Sequence, residues 1–322
     1  MILAVTINPL LEKRLFFKSV ELGAANRSKK ELFYAGGKGI NVSRQLNRLG
    51  IQNTSVTFLG GNNGKVLRRC LTDDKIDFTA VSIKSETRLA SVIIEETQPS
   101  VSTFFGLNSN ITGEEVSEFK ERLVKMIPNC TIVVFSGSSP CRAADEIFPF
   151  GIELANRLDK ISILDTYGDH LPTCIDAEPT VIHNNVRELE KSFGINLSGE
   201  KSKIDLLRKL LSNNIKLLFL TDGANPTYAA KYDFIYKVES LPIKATDPTG
   251  SGDAFVAGIA SGLERSMVFE HFLKLAVSLG AANAAMIETC DVTAAMADKY
   301  IANVNVMPVG KKMKIIDDSP NY

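Results

Sequence analysis

Short apolar runs of strand length alternate with stretches of helical period along most of this chain. Predicted buried strands lie at 2–7, 55–59, 131–135, 161–164 and 216–220, and predicted helices at 40–50, 64–71, 112–126 and 204–211. Apolar runs of this kind are typical of parallel strands whose two faces are both buried. The alternation therefore predicts an α/β fold with a mostly parallel sheet covered by helices on both faces.

Two stretches interrupt this alternation with β-like patterns. Residues 11–35 show patchy apolar alternation, and residues 79–106 hold three β-like runs, around Val81, Val92 and Phe104. The two stretches are too far apart to form one hairpin, so we expect antiparallel strands that assemble into a small lid sheet. Residues 1–310 are then one domain, and residues 311–322 are a polar tail.

The composition excludes several classes of partner. Lys plus Arg and Asp plus Glu both number 37, so no net charge attracts the chain to nucleic acids or anionic membranes. No apolar stretch approaches the roughly 20 residues that span a bilayer, and charge at 12–14 comes too early for a signal peptide. The five cysteines form no CxxC pair and are expected to be free thiols. We expect a cytoplasmic protein with no nucleic-acid or membrane partner.

A glycine-rich turn leads directly into an apolar helical pattern in the run DPTGSGDAF at 247–255. Glycine permits positive φ, so successive N–H groups can point into one concavity. The first N–H groups of a helix lack partners within it and carry partial positive charge. The segment Gly250, Ser251 and Gly252 is therefore predicted to bind a phosphoryl group in transit.

Asp253 is predicted to lie at the start of this helix, where surrounding donors would keep its carboxylate ionised. Phosphoryl transfer needs little early proton abstraction, so a weak base that orients the attacking hydroxyl is sufficient. For a short Gly-x-Gly-Asp alone, a residue that caps the helix is the simpler explanation. The longer run favours a catalytic base.

A second glycine-rich turn opens a helix in the run GGKGINV at 36–42. It is not a Walker A loop, because Leu32 stands at the first glycine position and Gly39 at the Ser/Thr position. The close backbone, the charge of Lys38 and the amide of Asn41 suit a polyhydroxylated or phosphorylated ligand. Taken alone, a tight turn with an exposed lysine explains the run equally well. Two such helix starts, about 210 residues apart, favour one cleft for acceptor and phosphate.

With these two runs the chain resembles the PfkB (ribokinase-like) carbohydrate kinases, and most closely the 1-phosphofructokinase and tagatose-6-phosphate kinase branch. The similarity extends from Thr6 to about residue 290. It implies a three-layer α/β/α domain with a β-sheet lid and ATP with Mg²⁺ as donor. It also implies, in many members, a monovalent cation such as K⁺ and a homodimer formed through the lid.

The resemblance also implies roles for individual residues. Asp253 falls on the catalytic base, with Gly250, Ser251 and Gly252 as its anion hole. The acceptor is expected to contact Glu12, Gly36, Gly37, Lys38, Asn41, Arg88 and Ser138. The nucleotide is expected to contact Asn185, Glu188, Thr221 and Gly223, and Glu188 also to lie near the metal of Mg-ATP. Arg88 is assigned to the acceptor's phosphate, which a guanidinium binds through two hydrogen bonds; alone, it would be a solvated strand residue.

Three positions depart from the family pattern. Glu12 stands where the family has an Asp that binds sugar hydroxyls, so either the sugar or this longer side chain must sit differently. His183 replaces a lysine near the phosphates, which exchanges a permanent charge for a titratable ring. Pro226 replaces a glycine of the nucleotide turn.

The leading hypothesis is ATP-dependent phosphorylation of a phosphorylated ketohexose. Fructose 1-phosphate, which would give fructose 1,6-bisphosphate, is the first candidate because 26–28 and 36–46 look closest to that branch. Tagatose 6-phosphate follows closely.

Two alternatives remain. The departures at 12, 183 and 226 motivate a sugar-phosphate-binding or regulatory protein with weak or no transfer, although such a binder does not need Asp253. A kinase of an unphosphorylated sugar or nucleoside would leave the charges of Arg88 and Lys38 unused.

Overall fold

The computed structural model describes residues 1–97, 100–211 and 213–309, and the predicted tail 311–322 lies outside this part of the chain. The strands are β1 (Ile2–Thr6), β2 (Leu10–Phe17), β3 (Lys30–Gly36), β4 (Asn53–Gly60), β5 (Phe78–Ile83), β6 (Leu89–Glu95), β7 (Ser100–Phe105), β8 (Ile132–Ser136), β9 (Ile161–Asp165), β10 (Val181–Asn185), β11 (Leu217–Asp222), β12 (Asn225–Lys231), β13 (Phe234–Val238) and β14 (Val306–Val309). The helices are α1 (Lys38–Arg48), α2 (Gly61–Asp73), α3 (Gly113–Met126), α4 (Ile147–Arg157), α5 (Leu171–Asp176), α6 (Val186–Phe193), α7 (Glu200–Leu211), α8 (Ser251–Glu264), α9 (Phe269–Ala284) and α10 (Ala294–Ile301). None of these helices is both long enough and apolar enough to cross a membrane.

The main sheet has ten strands in the order β14-β13-β12-β11-β10-β9-β8-β1-β4-β5. Neighbouring strands from β11 to β5 are all parallel, and β12, β13 and β14 extend the sheet as antiparallel strands. Every residue of β1, β4 and β8 is buried, as expected of strands covered on both faces. The predicted mostly parallel sheet is confirmed.

Helices form a layer on each face of this sheet. On one face, Phe119 of α3 and Leu189 of α6 belong to the same apolar core as Phe135 of β8. On the other face, Ile259 of α8 and Leu279 of α9 belong to a separate apolar core. The arrangement confirms the three-layer α/β/α fold of the ribokinase-like class.

A second sheet, in the order β3-β2-β6-β7, forms the predicted lid. The run around Val81 is not part of it, because β5 pairs with β4 in the main sheet. The expectation of antiparallel lid strands is correct for the outer pairs and wrong for the central pair, in which β2 and β6 are parallel. The reason is that β2 continues from β1 and β6 from β5. Both chain segments leave the same edge of the main sheet in the same direction.

A small apolar core fixes the base of the lid. Leu11 of β2 and Leu89 of β6 pack with Leu67 and Leu71 of α2. The lid is therefore anchored beside α2, close to the carboxyl ends of the main-sheet strands.

The strand order reverses at β1, because the chain passes from β1 to β4 on one side and later reaches β8 on the other. Ligands of open α/β sheets bind in the crevice that forms beyond the carboxyl ends of the strands at such a point. Ser136, Asp165 and Asn185 are the last residues of β8, β9 and β10 at this edge.

Candidate active site

The turn before α8 is built for close backbone approach. Gly250 is its N-cap residue with φ of +80°, in the left-handed region that favours glycine. A Cβ on Gly250 would lie 2.3 Å from Cγ2 of Thr289, so a side chain would displace the loop after α9. The N–H of Ser251 donates to Pro248, and Gly252 follows in the first turn, whose N–H groups have no partner within the helix. The turn therefore permits close backbone approach at Gly250, while the N–H of Ser251 already has a partner.

Asp253 is the third residue of α8 and is 4% exposed. Its Oδ2 accepts a hydrogen bond of 2.8 Å from Nδ2 of Asn41 in α1, across 212 residues of sequence. Among the described residues no side chain caps α8, so the explanation of Asp253 as a helix cap is wrong. Its carboxylate instead connects the two glycine-rich helix starts.

The turn before α1 packs against the end of β1. Gly37 is the N-cap residue with φ of +117°, and α1 begins at Lys38, two residues before the predicted start. A Cβ on Gly39 would lie 2.3 Å from Oγ1 of Thr6. Glycine at positions 37 and 39 lets this turn pack against β1, which brings Lys38 and Asn41 to the carboxyl edge of the sheet.

Lys38 is the cation at the centre of the cleft. Its Nζ lies 3.0 Å from Oδ1 of Asp165 and 2.8 Å from Oε1 of Glu188. Ser136 donates to Oδ2 of Asp165 at 2.6 Å, so both oxygens of this fully buried carboxylate have partners. The side chain of Lys38 remains 23% exposed and is accessible from the cleft.

Lys38 and Asp165 each shift the pKa of the other toward its charged form. Burial alone would lower the pKa of Lys38, but the carboxylates of Asp165, Glu188 and Asp253 outweigh it and raise that pKa. Burial would likewise raise the pKa of Asp165, but Lys38 and His183 lower it instead. Both partners are therefore charged at neutral pH.

Asp253 behaves differently from Asp165. Burial raises the pKa of Asp253 to about 7 despite the opposing charge of Lys38, and the carboxylate of Asp165 adds to the rise. The expectation that surrounding donors keep this carboxylate fully ionised is therefore wrong, because desolvation exceeds their effect.

His183, at the position of a family lysine, lies against the anion hole. Its Nδ1 is 3.1 Å from Oδ1 of Asp165, and its Nε2 is 3.2 Å from Oγ1 of Thr221. A carboxylate only accepts hydrogen bonds, so we assign the proton of this contact to Nδ1. A Cβ on Gly252 would lie 3.4 Å from Cε1 of His183. The imidazole thus packs against Gly252, a residue of the predicted anion hole.

A second polar group lies at the base of the lid. Arg88 Nη1 donates to Oδ1 of Asn108 at 3.2 Å, and Nη2 donates to the carbonyl of Asn8 at 3.2 Å. Asn8 Nδ2 in turn donates to Oγ of Ser138 at 3.1 Å. The Nε of Arg88 is buried with no partner among the described residues.

Tyr167 connects this group to the central lysine. Lys38 Nζ lies 5.3 Å from the centroid of the Tyr167 ring. Burial lowers the pKa of Arg88, and Tyr167 is close enough to oppose that shift. Tyr167 is therefore a neighbour of both Lys38 and Arg88.

One oxygen of Glu12 is paired within the protein. Its Oε2 accepts hydrogen bonds from Nε and Nη2 of Arg14 at 3.1 and 2.9 Å. Arg14 also donates to the carbonyl of Ile287 at 3.2 Å and to Oγ1 of Thr289 at 2.9 Å. A Cβ on Gly36 would lie 2.7 Å from Oε1 of Glu12. Glu12 thus lies beside the predicted acceptor turn but is paired within the protein.

The predicted nucleotide residues lie at the ends of β10 and β11. Asn185 and Glu188 form a capping box at α6, in which the N–H of Glu188 donates to Oδ1 of Asn185 at 2.8 Å. Thr221 contacts His183, and Gly223 lies in the following turn with φ of +58°. Pro226 is the second residue of β12.

The carboxylates of the cleft suit a metal that arrives with a nucleotide. Within the described residues no group of three or more His, Cys, Asp or Glu side chains could hold a metal ion. Mg²⁺ bound with ATP needs only one or two carboxylates in addition to the phosphates. Glu188, whose side chain is 14% exposed beside Lys38, fits that requirement.

Several polar residues of the site were not predicted from the sequence. Asn8 and Asn108 follow strands, and Ser136 and Asp165 end β8 and β9. Polar residues at the carboxyl ends of parallel strands were a usable signal, because such positions meet at one edge.

Known proteins match this chain over most of its length. The model of the pfkB family carbohydrate kinases matches residues 12–294. A tagatose-6-phosphate kinase of Staphylococcus epidermidis is 30% identical over 312 residues, which are 96% of this chain and 100% of that protein. A Thermotoga maritima structure described as a possible 1-phosphofructokinase has a TM-score of 0.88 at 23% identity and covers 96% of this chain and 100% of its own. Phosphofructokinase-2 of Escherichia coli, solved in complex with potassium, has a TM-score of 0.87 at 21% identity, covering 94% and 98%.

The three-layer fold, the lid and the lysine–carboxylate cleft together define an ATP-dependent phosphotransferase that uses an alcohol group as acceptor. The chain belongs to the pfkB family of carbohydrate kinases. Membership in this family implies ATP with Mg²⁺ as the phosphoryl donor.

Proposed function

We propose that this protein transfers the γ-phosphoryl group of ATP to a hydroxyl of a phosphorylated ketohexose. The observation that carries the proposal is the hydrogen bond of 2.8 Å between Asn41 and Asp253, because it brings the two glycine-rich helix starts together across one cleft. One helix start is then available to the acceptor and the other to the transferring phosphate.

Asp253 is the proposed base. The acceptor hydroxyl gives its proton to this carboxylate as its oxygen bonds to the γ-phosphorus, and the bond from that phosphorus to the leaving oxygen of ADP breaks. A carboxyl with a pKa of about 7 is ionised in about half of the molecules near neutral pH, which suits a general base. Because the transition state is loose, the larger task of Asp253 is to orient the hydroxyl in line with the phosphorus.

The negative charge of the transferring group is proposed to rest between Lys38 and the turn of Gly250, Ser251 and Gly252. Lys38 supplies a full positive charge that remains partly exposed to the cleft. The helix start supplies backbone N–H groups and the positive end of the α8 dipole. Fixed donors of this kind stabilise developing charge without having to reorganise.

Arg88 is proposed to bind the phosphate that the acceptor already carries. Its buried Nε lacks a partner, and Asn8 and Ser138 add polar groups beside it. An acceptor phosphate would satisfy the unpaired donor, whose burial otherwise costs free energy. Gly36, Gly37 and Asn41 are proposed to contact the sugar between the two ends, together with Oε1 of Glu12, since Arg14 is bonded to Oε2.

The nucleotide is proposed to lie along the ends of β10 and β11, against Asn185, Thr221 and Gly223. Glu188 would hold the Mg²⁺ of Mg-ATP, which supplies charge neutralisation at the phosphates when bound. Lys38 keeps the Glu188 carboxylate in place at 2.8 Å.

A monovalent cation such as K⁺ is the second ion of the proposal. The E. coli phosphofructokinase-2 structure was solved with potassium. In this chain the carbonyl of Thr249 accepts a hydrogen bond from Asn283, whereas the carbonyl of Gly250 accepts two, from the N–H of Ala254 at 2.8 Å and from Sγ of Cys290 at 3.3 Å. A carbonyl oxygen has two lone pairs, so that of Thr249 retains one for a cation.

Tagatose 6-phosphate and fructose 1-phosphate are the two proposed acceptors. The S. epidermidis relative is named for the first substrate, and the sequence around the acceptor turn suggested the second. A coupled ADP-release assay should compare both with fructose 6-phosphate, fructose and ribose, in KCl and in a buffer without K⁺. Turnover that requires a phosphorylated ketohexose supports the proposal. Equal turnover of fructose and ribose, or none with any acceptor, contradicts it.

A homodimer through the lid and a cytoplasmic location complete the proposal. Phe33 and Phe104 lie in one cross-strand row of the lid and are 46% and 63% exposed. Phosphofructokinase-2 of E. coli was solved in a tetrameric inhibited form. All five cysteines are free, as is usual in a reducing compartment.

A further inference from the structure

A row of hydrogen bonds runs behind the carboxylate of Asp253. Arg44 lies one turn after Asn41 on α1 and is 8% exposed. Its Nη1 donates to Oδ1 of Asn41 at 2.8 Å, and Nδ2 of Asn41 donates to Oδ2 of Asp253 at 2.8 Å. The amide of Asn41 is therefore held at both of its ends.

The order of donors along this row is determined by Arg44. A guanidinium can only donate, so the amide must turn its oxygen toward Arg44 and its nitrogen toward Asp253. With the opposite orientation, the amide oxygen would face a carboxylate oxygen and both contacts would be lost. Arg44 and an ionised Asp253 therefore require the same orientation of Asn41, and Arg44 maintains it when Asp253 is protonated.

Arg44 is itself held by two other elements. Its Nε and Nη2 donate to Oδ2 of Asp74, the C-cap residue of α2, at 3.1 and 2.7 Å. Nη2 also donates to the carbonyl of Ala35, next to the acceptor turn. A planar fork with several donors can satisfy these partners together, whereas a lysine ammonium at the end of a flexible chain cannot span them.

We propose that Arg44 is a positioning residue for phosphoryl transfer, which acts through Asn41 to hold the carboxylate of Asp253 in the orientation that receives the acceptor hydroxyl. The inference rests on the proposed role of Asp253 and extends it to a residue that reaches Asp253 only through Asn41. Misplacement of a reacting group by about 1 Å can cost about 100-fold in rate, so this indirect contact is sufficient to affect turnover.

Other charged groups around Asp253 do not replace this contact. Lys38 from α1, Asp165 from β9 and Glu188 from α6 all influence its carboxyl, and Cys290 lies behind the same turn. Among the described residues, the side chain that donates a hydrogen bond to Asp253 is that of Asn41.

A double-mutant cycle in the full-length protein tests the proposal. Arg44→Gln, Asn41→Ala and the double variant should be assayed for kcat, for KM of ATP and for thermal unfolding, with the acceptor that the wild type uses. We expect Arg44→Gln to lower kcat by about 10- to 100-fold with KM for ATP changed by less than about threefold. In the Asn41→Ala background, the same change should lower kcat by less than about threefold, because residues that act through one contact are not additive.

Arg44→Lys separates orientation from charge. It retains a cation beside Asp74, so we expect a smaller loss of thermal stability than in Arg44→Gln but the same loss of kcat. Arg48→Gln is the matched control, because Arg48 lies one turn further on α1, pairs with Asp291 and is 53% exposed. Its kcat should equal that of the wild type.

Two results would overturn the proposal. One is a full kcat in Arg44→Lys or Arg44→Gln, and the other is a kcat loss that is equal with and without Asn41. Because Arg44→Lys preserves the ion pair, a folding failure of Arg44→Gln does not prevent the test. A wild type inactive with every acceptor would instead contradict the proposed function, so the two failures are distinguishable.

Discussion

Lys38 and Asp165 form an ion pair of 3.0 Å although 127 residues separate them in the sequence. The pair joins the first residue of α1 to the last residue of β9 and draws the acceptor turn onto the carboxyl edge of the main sheet. It also leaves Asp253, the third group of the cluster, as the carboxyl whose pKa burial raises. Around Lys38, the pKa of Asp165 is thus lowered and the pKa of Asp253 is raised to about 7.

Replacement of the proposed base should abolish most of the turnover. Asp253→Asn keeps the shape of the side chain but cannot accept a proton, so kcat should fall by about 10²- to 10⁴-fold. ATP binding, measured by isothermal titration calorimetry, should change by less than about threefold because the nucleotide residues are untouched. Asp298→Asn, at an exposed position of α10, is the control. A variant Asp253→Asn with wild-type kcat would remove Asp253 from the proposed role.

The pH profile should report the titration of Asp253. Its pKa in the folded protein, about 7, lies above the ordinary value of 3.8, so the proton is retained as pH falls below neutrality. Since the ionised form is the base, kcat/KM should decrease about tenfold per pH unit well below pH 7 and level off above pH 8.

A constant kcat/KM between pH 5 and 8 would show that Asp253 is not the group that limits the reaction. Asn41→Ala removes a hydrogen bond that lowers this pKa, so the acidic limb of the profile should move to higher pH. A limb that moves to lower pH would contradict the assigned contact.

Replacement of Arg88 should lower kcat/KM for phosphorylated acceptors more than for unphosphorylated ones. In Arg88→Gln, kcat/KM for the phosphorylated ketohexose should fall by about 10- to 100-fold, which corresponds to one charge-assisted hydrogen-bonded contact. KM for ATP and the weak turnover of free fructose should stay within about threefold.

Arg69→Gln, at an exposed position of α2, is the matched control for that change. If Arg88→Gln reduces the turnover of fructose and of the sugar phosphate equally, the guanidinium does not bind the acceptor phosphate.

The ion pair between Glu12 and Arg14 should be important for stability. Both side chains are nearly buried, at 9% and 6% exposure, and removal of one partner leaves the other charge uncompensated. Arg14→Met should therefore lower the free energy of unfolding by about 3 kcal/mol in urea titrations.

Lys13→Met provides the comparison on the same strand. Lys13 pairs with Glu31 at 32% and 47% exposure, so its loss should cost less than about 1 kcal/mol. Equal effects of Lys13→Met and Arg14→Met would show that burial does not distinguish the two pairs.

The lid should mediate self-association through its exposed aromatic side chains. Phe104→Ser removes a ring that is 63% exposed and should shift the protein from dimer to monomer in light scattering coupled to size exclusion. Val268→Ser, at a site 66% exposed outside the lid, should leave the mass unchanged. A monomeric wild type, or a dimeric Phe104→Ser, would exclude this surface as the interface.

Much of the fold could be predicted from the sequence because strand and helix periods are local. The strand around Val81 was grouped with the lid because its pattern resembles the lid strands, and only its pairing with β4 places it in the main sheet. The parallel centre of the lid depends on the direction in which β1 and β5 leave the sheet, which no local pattern records.

Some residues of the candidate site could be predicted from the sequence and others could not. Lys38, Asn41 and Asp253 were found because each stands in a glycine-rich run with a recognisable helix start. The partners of Arg88, Asn8 and Asn108, were not found from the sequence, because they lie 80 and 20 residues from it. The pairing of Glu12 with Arg14 could have been predicted from the sequence, since residues two apart on a strand share a face.

The parallel centre of the lid has a mechanical consequence. Because β2 and β6 are parallel and each has an antiparallel outer neighbour, the starts of β2 and β6 and the ends of β3 and β7 all lie at one end of the lid. Asn8 and Arg88 lie in the two connections that enter the lid, and Nη2 of Arg88 donates to the carbonyl of Asn8 at 3.2 Å. Under the proposed role of Arg88, a bound phosphate would therefore contact the lid at its attached end.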